Sequence, residues 1–368
     1  MRASRRDSPA GWPAGRYVGA VRATLIHAPG DVRSEQVPDP TLVQDTDALV
    51  RVVASCVCGS DLWPYRGENP VDGPSRIGHE FVGIVEQLGA EVRTLNHGDF
   101  VVAPFVYSDG VCAHCQRGVH TSCLRGGFYG GDDRDGHFVD GGQGEVVRVP
   151  FADGTLVATP DQPDEALVPA LLALSDVMGT GHHAAVTAGV GPGATVAVVG
   201  DGAVGLCGVL AAGRLGAERI IAMSRHEPRQ ALARRFGADE VVAARGEEGV
   251  TAVHELADGV GADAVLECVG TGSAMQQAIG CARPGGRVGY VGVPHGVELP
   301  IGDMFATNVG IVGGVAPVRA YLPDLLDDVW AGRLDPGPVF DLELPLDQVA
   351  AGYAAMDERR AVKTLLRT

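Results

Sequence analysis

The sequence predicts a two-part α/β protein: a β-rich first part, then a doubly wound parallel sheet, with the C-terminal tail returning to the first part. Three observations carry this expectation. Short alternating or apolar runs separated by Gly, Pro and Asp turns occupy residues 21–150. From about Ala194 strands alternate with amphipathic helical stretches, the pattern of a parallel sheet with helices on both faces. The change of texture is marked by the glycine turn "GDGAVG", set directly behind an apolar strand.

In order, "VRATLIH", "ALVRVVASC", "FVGIVEQLG", "GDFVVAPF" and "GEVVRVP" read as strands of the first part. Then "TVAVVG" reads as a strand, "AVGLCGVLAAGRLG" as a helix, "RIIAMS" as a strand and "EPRQALARRFG" as a helix. "EVVAAR", "DAVLECVG", the helical "GSAMQQAIGCARPGG" and "RVGYVGV" continue the alternation. Past about Pro323 a helix and a final strand, "AVKTLLR", remain. The expected division is a disordered extension over 1–20, one domain from 21–175 with 324–368, and a second domain over 176–323.

A chain of 368 residues is long enough for two sizeable cores. Its net charge of −17 argues against nucleic acid, whose phosphates demand a basic surface. It leaves room for a phosphate-bearing cofactor held by a glycine loop and a local cation. Fifty-three glycines, about twice average usage, imply many tight turns and close backbone approaches. The most apolar window, "ATVAVVGDGAVGLCGVLAAG", is broken by Asp201 and several glycines, so no membrane span is expected. Arg2, Arg5 and Arg6 have no apolar run behind them, unlike a secretory signal. The eight cysteines are clustered at metal-like spacings instead of spread as a disulfide framework, which points to a reducing, cytoplasmic setting.

"GDGAVG" places Gly200, Gly202 and Gly205 in G-x-G-x-x-G spacing, with Ala203 and Val204 opening a helix. Gly200 permits the tight turn, Gly202 admits a pyrophosphate to the backbone, and Gly205 lets helix and strand pack closely. The helix N-terminus offers unpaired N–H groups to the anion. At the end of the second strand, where an NAD site places an acid, stand Ser224 and Arg225, with Arg229 one turn on. A hydroxyl and guanidinium suit a 2′-phosphate that a carboxylate would repel, so NADP(H) is favoured over NAD(H). Surface arginines with Glu227 on the ribose are the alternative.

Two groups of metal-ligand type stand out. Cys58, His79 and Asp176 lie in well-separated segments and are the S, N and O donors a catalytic zinc takes while keeping one position open. Asp61 and Glu80 are suited to stand behind them, one accepting the spare ring N–H of His79. In "SDGVCAHCQRGVHTSC", Cys112, Cys115 and Cys123 are joined by Asp109 one two-residue gap upstream. From the spacing alone this is a zinc knot with a carboxylate ligand, a decayed one, or a cysteine-rich loop, and His114 or His120 compete with Asp109.

These motifs together resemble the zinc-dependent alcohol dehydrogenases of the medium-chain dehydrogenase/reductase superfamily. The pattern G-H-E-x-x-G, then Gly after five residues and an apolar residue after two more, is matched by Gly78, His79, Glu80, Gly83, Gly89 and Val92. The cysteine lobe, "SDVMGTG", the glycine loop and "AVKTLL" follow in the family's order, covering nearly everything from Val21 onward. The resemblance implies a GroES-like β-barrel catalytic domain plus a Rossmann domain. It implies catalytic zinc on Cys58, His79 and Asp176, and structural zinc on Asp109, Cys112, Cys115 and Cys123.

By the same resemblance Ser60 hydrogen-bonds the reacting alcohol oxygen, Thr180 packs on the nicotinamide, and Lys363 reaches the cofactor pyrophosphate. The implied reaction is hydride transfer between an alcohol, or an aldehyde or ketone, and the nicotinamide cofactor, in a homodimer or homotetramer. A polyol or amino-alcohol dehydrogenase shares every one of these residues, and a non-catalytic NADPH-binding protein is the reading from another class. One departure is Trp63, where many relatives carry a proton-relaying histidine. The proton then leaves through ribose and water or through His182 or His183, and Trp63 is expected to shape a pocket for an apolar or aromatic substrate.

Overall fold

The protein is described by a computed structural model covering residues 19–69, 71 and 73–368. The disordered extension expected over 1–20 therefore lies, up to residue 18, outside the described residues.

The first part is organised on a seven-stranded sheet. Its order is Val157–Ala158, Phe100–Ala103, Phe81–Leu88, Ala48–Cys56, Thr364–Arg367 and Leu342–Pro345, with Val146–Val149 also pairing to Ala48–Cys56. Ala48–Cys56 is the natural centre, because eight of its nine residues are buried and it pairs with three partners. Leu365 sits opposite Cys56, so the tail expected to return does so beside the first metal-ligand segment. A smaller sheet of Asp31–Val37, Val21–Ala28 and Ser75–Arg76 lies alongside.

The second part is a six-stranded sheet, parallel throughout. Its order is Glu240–Val242, Arg219–Met223, Thr195–Val199, Ala262–Glu267, Ala282–Tyr290 and Gly310–Gly313. Val196–Val199 are buried, as a strand covered by helices on both faces must be. Strand order reverses between Thr195–Val199 and Ala262–Glu267, and a ligand crevice forms at that point beyond the strands' carboxyl ends. Gly200 stands there in the left-handed region, at φ 120°. A Cβ on Gly205 would lie 2.0 Å from the Gly200 carbonyl oxygen, so only glycine lets the helix Ala203–Arg214 start so close to its strand.

One element differs from expectation. The helix Gly272–Cys281 stops before "ARPGG", which forms the start of the strand Ala282–Tyr290. Pro284 lacks the N–H a helix interior needs, and the two following glycines weaken a helix further. The sixth strand, Gly310–Gly313, was not separable in the sequence from its glycine-rich surroundings. Among the described residues no helix is long and apolar enough to cross a membrane.

Candidate active site and metal centres

Cys58, His79 and Asp176 converge from three elements. Cys58 follows the central strand Ala48–Cys56, His79 precedes Phe81–Leu88, and Asp176 precedes the helix Val177–Ala188. The Cys58 Sγ lies 3.8 Å from Asp176 Oδ2, and His79 Nε2 lies 3.7 Å from the same oxygen. A tetrahedral zinc with bonds of about 2.0–2.3 Å spaces its ligands by roughly 3.3–3.8 Å, so the donor set fits that ion. A Glu80 carboxylate oxygen completes a group of four donors all within 4.8 Å of one another. Glu80 Oε2 is buried and has no hydrogen-bond partner, which is a further sign of a cation's place.

The surrounding residues fix these donors. Asp61 Oδ1 lies 3.4 Å from His79 Nδ1, which leaves Nε2 for the metal side. Asp61 Oδ2 accepts the Cys58 N–H at 2.9 Å and the Gln143 amide at 3.0 Å, and Gln143 in turn meets the Tyr353 hydroxyl at 3.1 Å. Thr180 donates its hydroxyl to Asp176 Oδ1 at 2.6 Å, so it orients a ligand, a role the sequence did not reveal. Gln143 and Tyr353 carried no sequence signal at all.

Burial dominates the electrostatics. It pushes the Cys58 thiol up, a cost a bound divalent cation removes. Burial pulls His79 down, but Asp61, Cys58 and Asp176 together hold it well above the ordinary histidine range. Burial likewise pushes Asp176 up, and the charge and hydrogen bond of His79 outweigh it, leaving the carboxyl below its usual range.

Lys363 needs a correction. It is 1% exposed, and its ammonium donates to Glu80 Oε1 at 2.7 Å and to the Val57 carbonyl at 3.3 Å. The charge expected at a cofactor pyrophosphate is spent behind the metal ligands, because a carboxylate as buried as Glu80 requires a partner.

In the cysteine lobe, Cys112 Sγ lies 3.5 Å from Cys115 Sγ and 3.9 Å from Cys123 Sγ. These are tetrahedral edge lengths for zinc–sulfur bonds of about 2.3 Å. Asp109, and neither His114 nor His120, joins the three thiols within 4.8 Å. Backbone N–H groups of Cys115 and Leu124 pull the Cys112 thiol down to about 7. Burial pushes Asp109 up, but the N–H groups of Cys112 and Val111 more than offset it and its carboxyl stays below the usual range. His114 is engaged with the Ser122 carbonyl. The donor set suits zinc, and a decayed knot would have no reason to keep this spacing.

At the glycine loop, a Cβ on Gly202 would meet nothing within 4 Å, so the backbone there is open to approach. Ser224 and Arg229 reach the loop, but Asp201 meets both. Ser224 Oγ donates to Asp201 Oδ2 at 2.8 Å, and Arg229 Nη1 lies 3.4 Å from Asp201 Oδ1. Arg225 is exposed. Arg245, lowered by burial and by the Arg225 charge, stands near enough to feel Asp201 and Arg359. Glu227 opens the next helix, exposed.

The histidines offered as a proton relay lie elsewhere. His183 Nδ1 is 2.9 Å from the Tyr321 hydroxyl, and His182 packs edge-on to the same ring, its pKa lowered to about 4 by burial. The imidazole beside Trp63 belongs instead to His295. A cavity of about 260 Å³ opens next to Ser60 and His79, lined also by Ile26, Pro64 and Ile77, with Trp63 outside it.

Comparison with known proteins agrees with this geometry. The family described as alcohol dehydrogenase GroES-like domain matches residues 44–161, and zinc-binding dehydrogenase matches 203–330. A zinc-type alcohol dehydrogenase B of Aspergillus flavus is 33% identical over 94% of this chain and 81% of its own. Among solved structures, the alcohol dehydrogenase of Thermus sp. ATN1 superposes with a TM-score of 0.87 at 35% identity, covering 94% of this chain and 99% of that one. A Sinorhizobium meliloti 1021 structure bound to NADP gives 0.79 at 26% identity, covering 95% and 100%.

Two outcomes are expected. Wild-type protein holds about two zinc ions per chain by elemental analysis and Cys112→Ser about one; a single zinc in wild type would show that Asp109 closes no site. Lys363→Ala lowers unfolding free energy by about 3–5 kcal/mol in denaturant titration, with Glu80→Gln in the same chain recovering part of it. A Lys363→Ala loss under about 1 kcal/mol means Glu80 does not depend on the ammonium.

Proposed function

The chain belongs to the zinc-dependent alcohol dehydrogenases of the medium-chain dehydrogenase/reductase superfamily, and we propose that it transfers hydride between a small alcohol, or the matching aldehyde or ketone, and NADP(H). The observation that carries this reading is the convergence of Cys58, His79 and Asp176 at zinc-ligand spacing, beside a hydroxyl and a small cavity. An intact donor set is also what a non-catalytic NADPH-binding protein has no need to keep.

When bound, zinc supplies a Lewis acid that polarises the substrate oxygen and the nicotinamide supplies the hydride carrier. The chain's own residues do the rest. Cys58 as thiolate and Asp176 as carboxylate give the ligand set two negative charges. Asp61 fixes the ring of His79, and Thr180 fixes Asp176. Ser60, on the turn after Cys58, lines the cavity and presents a hydroxyl able to hydrogen-bond the substrate oxygen and relay its proton onward as it gives up its own.

Preference for NADP(H) is supported by Arg229 and Arg245, which both stand near one carboxylate, Asp201, with Arg225 close to Arg245. The surplus of positive charge suits a 2′-phosphate. The NADP held by the Sinorhizobium meliloti relative adds to this support.

A second copy of the chain is proposed to pair along Gly310–Gly313. That strand is one edge of the six-stranded sheet, and Phe305 (86% exposed), Ile301 (62%), Val312 and Val315 crowd it with bare apolar surface.

Steady-state assays over alcohols, diols, amino alcohols and aldehydes should show turnover, with higher kcat/KM for NADP(H) than NAD(H). Arg225→Ala should cut the NADP(H) value ~10–100-fold, the worth of a charged hydrogen bond, and leave the NAD(H) value within a few-fold. Equal losses with both coenzymes would refute the phosphate role. Light scattering should give at least twice the 38.0 kDa chain mass for wild type and a monomer for Phe305→Glu; a monomeric wild type rules the pairing out.

A further inference from the structure

Trp63 and His295 stack face to face, ring centroids 3.6 Å apart and planes 27° from parallel. Among the aromatic pairs of the described residues, this is the one that joins the metal-ligand half of the molecule to the nucleotide sheet. Each ring is tied rigidly to its own side.

Trp63 belongs to the short helix Leu62–Arg66, and its backbone N–H donates to the Ser60 carbonyl at 3.2 Å. The indole therefore moves with the turn that carries Cys58 and Ser60. His295 donates its backbone N–H to the Gly270 carbonyl at 2.9 Å. Gly270 in turn donates to Glu267 Oε1 at 2.8 Å, at the carboxyl end of the strand Ala262–Glu267 beside the ligand crevice. A Cβ on Gly270 would lie 2.1 Å from the Val293 carbonyl oxygen, so the two loops fit only as they stand.

The ring of His295 is not placed by hydrogen bonding at Nε2, which is buried and without a partner. A buried imidazole nitrogen left so is costly, and the contact the ring does make is with the indole face.

We propose that Trp63 and His295 form an aromatic clasp between the two halves, and that His295 is a positioning residue setting Ser60 against the nucleotide sheet. The proposal rests on the dehydrogenase reading for its kinetic consequence and on the stacking geometry alone for the clasp. It gives Trp63 a role beyond the pocket-shaping one expected from the sequence, and the cavity beside Ser60 is lined without it.

The test uses the full chain with Trp12→Phe and Trp330→Phe, leaving Trp63 as the single emitter of the chain's three tryptophans. His295→Ala should at least double the acrylamide quenching constant of Trp63. It should also lower kcat/KM for the alcohol by about three- to tenfold, the range of one aromatic pair, with zinc content unchanged. His295→Phe, which keeps a flat ring, should recover most of both effects. In the wild-type background, Trp63→Ala with His295→Ala should be no worse than Trp63→Ala alone.

Unchanged quenching in His295→Ala, additive losses in the double variant, or His295→Phe as impaired as His295→Ala each overturns the clasp. Absence of turnover in wild type overturns the dehydrogenase reading instead, and the quenching measurements, which need no substrate, still decide whether the rings hold each other.

Discussion

A buried cation governs the metal-ligand half of this molecule. Four groups able to carry negative charge, Cys58, Asp61, Glu80 and Asp176, are buried within one small region. Ions taken out of water cost several kcal/mol each unless paired. Lys363 is the chain's own counter-charge, and it arrives immediately ahead of the last strand, Thr364–Arg367. The return of the tail across the whole nucleotide-binding part is therefore an electrostatic requirement as well as a topological one. Pairing Leu365 with Cys56 aligns the ammonium with the Val57 carbonyl and Glu80 together.

Asp176 is coupled to the glycine loop through backbone contact at the helix Val177–Ala188. A Cβ on Gly181 would stand 2.6 Å from the Gly208 nitrogen, so this helix and Ala203–Arg214 touch nearly main chain to main chain. Asp176 sits at the start of the first helix and the glycine loop opens the second. The candidate metal ligand and the glycine turn are thus parts of one rigid pair, as a reaction needing two reactants held at contact distance demands.

Much of this was legible in the sequence, for physical reasons. The metal donors, the glycine loop and the cysteine lobe are read from residue type and spacing, which chemistry restricts tightly. The central strands of both sheets were legible because buried strands must be apolar. What escaped depends on long-range approach. Nothing local told Lys363 to face Glu80 instead of a pyrophosphate, or Thr180 to donate to Asp176. His295 meets Trp63 across 232 positions of chain, in a Gly/Pro-rich loop without periodicity. Asp201 was visible inside "GDGAVG", yet its meeting with Ser224 and Arg229 is made only by folding. The strand begun by "ARPGG" was missed because its helix-like upstream run gives no sign of where pairing starts.

The two candidate metal centres show opposite solutions to holding anionic donors. In the cysteine lobe, near the surface, backbone N–H groups do the work. Cys123 Sγ accepts from Asp109 and Arg125 at 3.3 and 3.4 Å, Cys112 Sγ accepts from Leu124 at 3.4 Å, and Asp109 itself accepts from Val111 and Cys112. Such dipoles stabilise thiolate and carboxylate without a mobile charge, which suits a site that only braces a loop. At the Cys58 centre the backbone contributes less, and side chains that titrate or rotate take over: Asp61, Thr180, Lys363 and Glu80. Those groups leave a donor oxygen of Glu80 unpaired and a cavity beside Ser60. A fully saturated shell would fit a structural ion better, and the incompleteness of this one is what makes room for chemistry.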